Sequence, residues 1–563
     1  GDQLRVLAGI EQVDVDELAD HGQDRGECLI EREFGQATRL LAPPGPGLPL
    51  PDSNDTLYDP CRMLESAAHN RIAVIGTGFS GIAAAVRLTE SGESDFVLYE
   101  RSGDVGGTWR DNTYPGCACD VPSHLYSFSF APNPTWSRAF SPQPEIQRYL
   151  RGVADSYGVT PRVRFLHEIE DASWDEADRV WRLSTSQGER TADILISAVG
   201  GLSAPSIPAI DGLEDFEGPA FHSAEWDHEA ELEGKRVAVI GTGASAIQFV
   251  PELQPKVASI DLFQRTPPWI MPRRDRPISK VERRLFKAFP ALQKAVRTAI
   301  YWGRELFALP MLKPRIAGRT ELIARKHLEH QVPDPELRAK LTPDYAIGCK
   351  RILLSNQYYR SLGEANVEVV TTGIREIRRD SVVTEDGVRH PADAIVFGTG
   401  FKVADMLVGH QIHGRGGVSL HETWDGSPTA HLGVTVAGFP NFFMLMGPNT
   451  GLGHTSVTIM IEAQVDYVVE ALSHLRRDEA SVMEPTLAAI RGWRGEIDRL
   501  SEGTVWTAGG FNSWYLDENG KNSILWPSFA TVYRHRLSTF RPEEFEFGPG
   551  RTARVAVDTS VSA

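Results

Sequence analysis

Two stretches of the chain carry one hydrophobic pattern. RIAVIGTGFSGIAA at 71–84 and KRVAVIGTGASAIQ at 235–248 each open with a short, β-branched apolar run. A glycine-spaced turn follows, then a stretch that favours helix, so each predicts strand, tight turn and helix. The next apolar run also repeats: DFVLYE ends at Glu100 and DLFQR at Arg265, each 24 residues after the first glycine of its turn. A further pair, ADILISAVGG at 192–201 and ADAIVFGTGF at 392–401, recurs at an offset of 200. Between 278 and 345 the pattern changes. Val281, Leu285, Phe289, Leu292, Val296 and Ala299 fall at spacings of three and four, which predicts an amphipathic helical insert that Pro290 breaks or kinks.

These elements predict an α/β fold with two Rossmann-like dinucleotide-binding domains, the first discontinuous and the second inserted into it. The expected boundaries are an N-terminal extension at 1–70, the first domain at 71–205 and 380–540, the second at 206–379 with its helical insert at about 278–345, and a C-terminal tail at 541–563. Residues 10–42 could hold one or two helices, and PPGPGLPLPDSN at 43–54 reads as an extended tether.

Composition narrows the function. The net charge is −17, which disfavours a nucleic-acid partner. No apolar run reaches the length of a transmembrane helix. The first 20 residues lack the basic and apolar regions of a secretory signal, and five cysteines in 563 residues suit a reducing compartment, so a cytoplasmic location is expected. No CxxC pair occurs, and no metal site is expected. Charge is uneven: residues 1–70 hold 14 acids against 5 basic residues, whereas 272–326 hold 15 Lys and Arg against 4 acids. The basic insert reads as a solvated face or, less directly, as a surface that attracts an anionic substrate or a membrane.

The glycine turns carry the first chemistry. Gly76 and Gly241 permit the turn, Gly78 and Gly243 admit a pyrophosphate, and Gly81 and Ala246 allow close helix–strand packing. Phe79 and Ser80, and Ala244 and Ser245, complete the two phosphate-binding loops at helix N-termini. Glu100 can accept hydrogen bonds from ribose hydroxyls, whereas Arg265, followed by Thr266, suits a 2′-phosphate. The first site therefore reads as one for FAD and the second as one for NADPH.

Two further segments identify a family. GGTWRDNTYPGCACD at 106–120 and FEGPAFHSAEWD at 216–227 closely resemble the paired fingerprints of type I Baeyer–Villiger monooxygenases. The resemblance covers residues 71 to about 535. It implies FAD- and NADPH-dependent insertion of one oxygen atom from O2 beside the carbonyl of a small-molecule ketone, through a flavin C4a-peroxide, to give an ester or lactone. The alternatives are a flavin monooxygenase acting on N or S heteroatoms, which usually has tyrosine where Trp226 stands, and a cofactor-binding regulator without turnover.

The resemblance also implies site roles. Arg351, in YAIGCKRILL, is the cation for the oxygenating anion and the adduct, and Lys350 joins Arg265 and Thr266 at the 2′-phosphate. Asp120 orients Arg351. Gly107, Thr108, Trp109, Tyr126 and Gly447 belong to the FAD site, and Trp514 to a loop that closes over NADP+. Phe216, Gly218, His222, Trp226 and Asp227 have a hinge role. The family often has arginine two residues before the aspartate, where this chain has Ala118, and this departure bears on local anion stabilisation.

Overall fold

The computed structural model describes residues 69–403, 408–477, 480–508 and 515–549. The expected helices within 10–42, the tether at 43–54 and Trp514 lie outside these residues.

Each glycine turn follows a central strand of its own sheet, and its immediate neighbours there run parallel to it; the second sheet is parallel throughout, whereas the first also holds the antiparallel strands Ile169–Asp175 and Val180–Thr185. Strand His69–Ile75 lies between Phe96–Tyr99 and Gly188–Ser197, with Phe442–Met444 added beyond the latter. Strand Arg236–Ile240 lies between Ser259–Phe263 and Ala394–Phe397, with Val367–Val370 and Ala220–His222 at the edges. The repeated apolar runs thus take equivalent places, one on each side of a glycine strand. Their buried Val, Ile and Leu side chains are the cores of the two halves.

The turns follow from steric demand. Gly76 and Gly241 have φ of 98° and 103°. A Cβ there would come within 2.8 Å of the Ala198 carbonyl oxygen and 2.6 Å of that of Gly398. Only glycine meets both conditions without strain.

Three boundaries differ from expectation. Ala394–Phe397 belongs to the second sheet, so that half extends about 20 residues past 379. Its strand is separated from Val367–Val370 by a three-stranded antiparallel excursion, Ile374–Arg378, Ser381–Thr384 and Arg389–Pro391, which a linear reading takes for a domain junction. The C-terminal tail is not separate from 541, because Phe545–Pro549 pairs antiparallel with Ala480–Pro485. The first strand starts at His69, two residues early.

Helices Lys280–Ala288, Pro290–Leu306, Gly318–Gln331 and Pro335–Lys340 make up most of the insert. The break falls at Phe289 (φ −130°), just before Pro290, which starts the next helix where its missing N–H costs nothing. Both crossings between the halves run side by side. Ser206 donates to the Gly400 carbonyl at 2.9 Å and Lys402 to that of Ala204 at 3.0 Å.

Candidate active site

The fingerprint at 106–120 begins beside the first glycine turn. Gly107 and Gly78 face each other so closely that a Cβ on Gly107 would lie 3.2 Å from the Gly78 Cα. Backbone lines this cleft, as a pyrophosphate cradle requires, and helix Phe79–Glu90 opens beside it with no side-chain cap. Thr108 and Trp109 start the short helix Thr108–Asp111, and the Trp109 indole N–H donates to the Tyr126 hydroxyl at 2.9 Å. Phe79 and Ser80 are buried, and the Phe79 ring meets the edge of Tyr126 at 5.0 Å. Burial raises the Tyr126 pKa, so its hydroxyl stays protonated.

Glu100 stands at the end of its strand as expected, but four donors already reach its carboxylate. They are the Thr77 amide (3.2 Å) and hydroxyl (2.6 Å), the Ser102 amide (3.0 Å) and Arg110 (2.8 Å). A ribose hydroxyl there has to share the carboxylate with the Arg110 side chain, which Asp111 and the Asp104 carbonyl also hold. Sequence reasoning missed Arg110.

Asp120 and Arg351, 231 residues apart, form a bidentate pair: Nε donates to Oδ2 and an Nη2 to Oδ1, both at 2.8 Å. Each keeps about a third of its side-chain surface open (33% and 28%), so the pair is not sealed in the core. Among the described residues, the remaining guanidinium nitrogen, Nη1, makes one long contact, 3.5 Å to the Leu452 carbonyl. Two more guanidinium groups converge. Arg304 donates to the Asp120 carbonyl at 3.2 Å and Arg273 to the Cys119 carbonyl at 2.9 Å. Burial works to raise the Asp120 pKa, but Arg351, Arg304 and Arg273 outweigh it and hold the carboxyl below its usual value. Asp120 in turn raises the Arg351 pKa. Three cations face one carboxylate, so the site keeps a positive surplus although position 118 is alanine. Arg273 and Arg304 were invisible to spacing, because they approach from the insert and its leading loop.

The neighbouring thiols are inert. Cys117, Cys119 and Cys349 are buried thiols, and burial pushes Cys117 up to about 12. Tyr515, also buried, interacts electrostatically with Arg351.

The second nucleotide site is more open. Gly243 and Ala244 are exposed, Ser245 is half-buried at the N-terminus of helix Ala246–Leu253, and Arg265 is exposed. The Lys350 ammonium lies 5.1 Å from the Tyr345 ring centre. Burial and then Arg265 lower its pKa, so two cations lie close enough to repel. Thr266 accepts from the Thr242 hydroxyl through its backbone carbonyl at 3.2 Å, which leaves its own hydroxyl unused by that bond.

The fingerprint at 216–227 sits at the crossing between halves. His222 is fully buried at the edge of the second sheet and meets the Phe401 ring edge-on at 5.6 Å. Burial lowers its pKa against the raising effect of the Gly400 backbone. Trp226 packs on Phe221 and Phe249, and Asp227 caps a turn through the amides of Glu229 and Ala230. Phe216 packs into the core of the second half, and a Cβ on Gly218 would collide with the Asp393 carbonyl. Sequence reasoning missed Gln248, which accepts from Tyr114 (3.0 Å) and donates to the Ala118 carbonyl (2.9 Å), tying the second helix to the other fingerprint. Gly447 is needed for contact within the chain, since a Cβ there would strike the Gly433 carbonyl.

Among the described residues no helix is long and apolar enough to cross a membrane. Residues 69–295 match the flavin-binding monooxygenase-like family model. The chain is 52% identical to a Baeyer–Villiger monooxygenase of Streptomyces coelicolor over 85% of its length and 92% of that protein. It is 48% identical to one of Pseudomonas aeruginosa, over 83% and 90%. Cyclohexanone monooxygenase from Rhodococcus sp. Phi1 bound to NADP+ is structurally similar (TM-score 0.78, 32% identity, covering 86% of this chain and all of that one). So is an oxidised steroid monooxygenase bound to NADP (TM-score 0.76, 31% identity, 86% and 100%). These relatives favour ketone oxygenation over heteroatom oxidation, and with the two nucleotide halves and their fingerprints they establish that the chain belongs to the type I Baeyer–Villiger monooxygenases, enzymes that use FAD, NADPH and O2.

Proposed function

We propose that Arg351, oriented by Asp120, is the catalytic cation of this Baeyer–Villiger oxygenation. The observation that carries the assignment is the bidentate pair, a third open to its surroundings, whose remaining guanidinium nitrogen makes one long hydrogen bond, to the Leu452 carbonyl. When bound, FAD reduced by NADPH supplies the oxygen atom activated from O2. Nε and Nη2 are fixed by Asp120, and Nη1 is left to stabilise negative charge as it develops beside the ketone carbonyl. A guanidinium keeps its charge at any working pH, and Asp120 stays ionised to hold it. Arg304 and Arg273 supply the positive surplus that Ala118 does not.

Gly76, Gly78, Phe79, Ser80, Gly81, Glu100, Gly107, Thr108, Trp109 and Tyr126 would hold FAD, with the backbone near Gly447. Gly241, Gly243, Ala244, Ser245, Thr266, Arg265 and Lys350 would hold NADPH, its 2′-phosphate between the last two. That placement is supported by the mutual repulsion of the pair, which a phosphate relieves. His222 and its neighbours act at the hinge. Dependence on NADPH and the reduced thiols of Cys117 and Cys119 support a cytoplasmic enzyme.

The test is Arg351→Ala. It is expected to retain FAD and to consume NADPH, with ester or lactone formation reduced about 10²–10³-fold and hydrogen peroxide released instead. Ketone oxygenation near the wild-type rate overturns the assignment.

A further inference from the structure

Helix Pro290–Leu306 is amphipathic in the reverse sense to a surface helix. Its inward face is polar and hydrogen-bonded to the body of the protein. Gln293 donates to the Asn133 carbonyl at 2.7 Å, and Arg297 to the carbonyls of His124 at 2.8 Å and Leu125 at 3.2 Å. Tyr301 shares a 2.6 Å hydrogen bond with Thr531, and Arg304 reaches Asp120. Glu305 accepts from the Ala530 amide at 3.2 Å and lies 3.3 Å from His454.

Its outward face carries Leu292, Ala295, Ala299, Trp302 and Leu306 at spacings of three, four, three and four, and all five are exposed. Trp302 is 53% and Leu306 64% accessible. The preceding helix, Lys280–Ala288, which packs against this one, exposes Val281 and Leu285, and Phe289 at the break is 60% accessible. The stripe that periodicity marks in the sequence therefore points away from the protein, apart from the half-buried Val296. Rotation cannot bury it, because every inward bond would be lost and charged groups orphaned.

The charges around the stripe say what covers it. Lys280, Arg284, Lys287 and Lys294 are exposed beside it. The only acids between 280 and 306 are Glu282, held by Arg276 and Ser279, and Glu305, which is buried. The face is thus apolar and cationic with no free carboxylate. Two-fold pairing with a second copy would set these cations against themselves. An anionic bilayer surface satisfies both features, with the side chains of Leu, Trp and Phe at the acyl boundary and Lys and Arg at the headgroups. We infer that helices Lys280–Ala288 and Pro290–Leu306 form a docking face for anionic membrane, on which the enzyme lies without spanning it.

The test uses the full-length, FAD-loaded enzyme with vesicles of phosphatidylcholine alone or with about one-third phosphatidylserine, measured by flotation. Binding is expected only to the anionic vesicles and is expected to weaken as salt rises. Leu292→Ser/Trp302→Gln/Leu306→Ser should reduce partitioning more than about tenfold. Lys280→Gln/Arg284→Gln/Lys287→Gln/Lys294→Gln should abolish the preference for anionic lipid, at about fivefold per cation. Both variants should turn over a water-soluble ketone at the wild-type rate, which separates this inference from the assignment of Arg351. No binding to anionic vesicles at low salt, or binding that neither variant changes, overturns it. A concentration-dependent dimer that the triple variant dissociates also overturns it, and assigns the face to a second copy.

Discussion

Asp120→Asn isolates what orientation of Arg351 is worth. The substitution preserves shape, and the Arg304 contact is to the Asp120 backbone, so the loop keeps its anchor. One amide oxygen can still accept from the guanidinium, but the amide nitrogen then faces the other N–H, donor against donor. Two hydrogen bonds between a cation and an anion become one bond from the cation to a neutral acceptor and one repulsive contact. A bond of the first kind contributes about 1.5–3 kcal/mol, and the pair's open third places the net loss within that range for the two together. At about 1.4 kcal/mol per tenfold, ester formation should fall roughly ten- to hundredfold. The loss should appear in coupling: the ratio of ester to NADPH consumed falls and hydrogen peroxide rises, while the KM for NADPH changes little. The assay is parallel quantification of NADPH, peroxide and ester with one ketone, with Asp120→Glu as a charge-retaining control that recovers part of the coupling. Wild-type coupling in Asp120→Asn would show that the carboxylate does not position the cation.

Arg265→Ala should raise the KM for NADPH roughly ten- to hundredfold and leave that for NADH nearly unchanged, from the loss of one charge-assisted phosphate contact; an unchanged NADPH/NADH preference refutes it. Lys350, a cation with a lowered pKa, loses its charge as pH rises through a value below the usual 10.5, so affinity for NADP+ should weaken in that alkaline range in the wild type. Lys350→Met should bind weakly at all pH and lack that alkaline step in a titration of Kd against pH. Gly218→Ala sets a methyl group against the Asp393 carbonyl and should destabilise the fold by about 1–3 kcal/mol, read as a lower midpoint in thermal or urea unfolding.

The two nucleotide halves were legible because their signal is local. A glycine turn is required by atoms a few residues away, and the strands that follow it recur at the same distance. The helix break at Pro290 was legible for the same reason. The junction at 379 was misplaced because Ala394–Phe397 carries the same apolar pattern as Gly188–Ser197, and only pairing tells which sheet it joins. Asp120 and Arg351 were readable through the family motifs, but Arg273, Arg304 and Gln248 were not, since their partners lie 130 or more residues away. Periodicity located the stripe of Pro290–Leu306 without its direction. An apolar stripe normally faces the core, and here a second, polar stripe on the same helix has the stronger claim on the interior.

The paired crossings at 198–206 and 398–403 have a practical meaning for engineering. The second nucleotide half leaves the first and returns to it at points one hydrogen bond apart, Ser206 to Gly400. To the rest of the chain, nearly 200 residues behave as a loop whose ends already touch. A half from a relative with a different nicotinamide preference could be exchanged as a cassette through two adjacent junctions. The interface the cassette must reproduce has named elements: Gln248 against the loop from Tyr114 to Ala118, and Arg351 against Asp120. The unit of recombination in this enzyme is therefore set by where the chain meets itself, and not by where its sequence motifs begin and end.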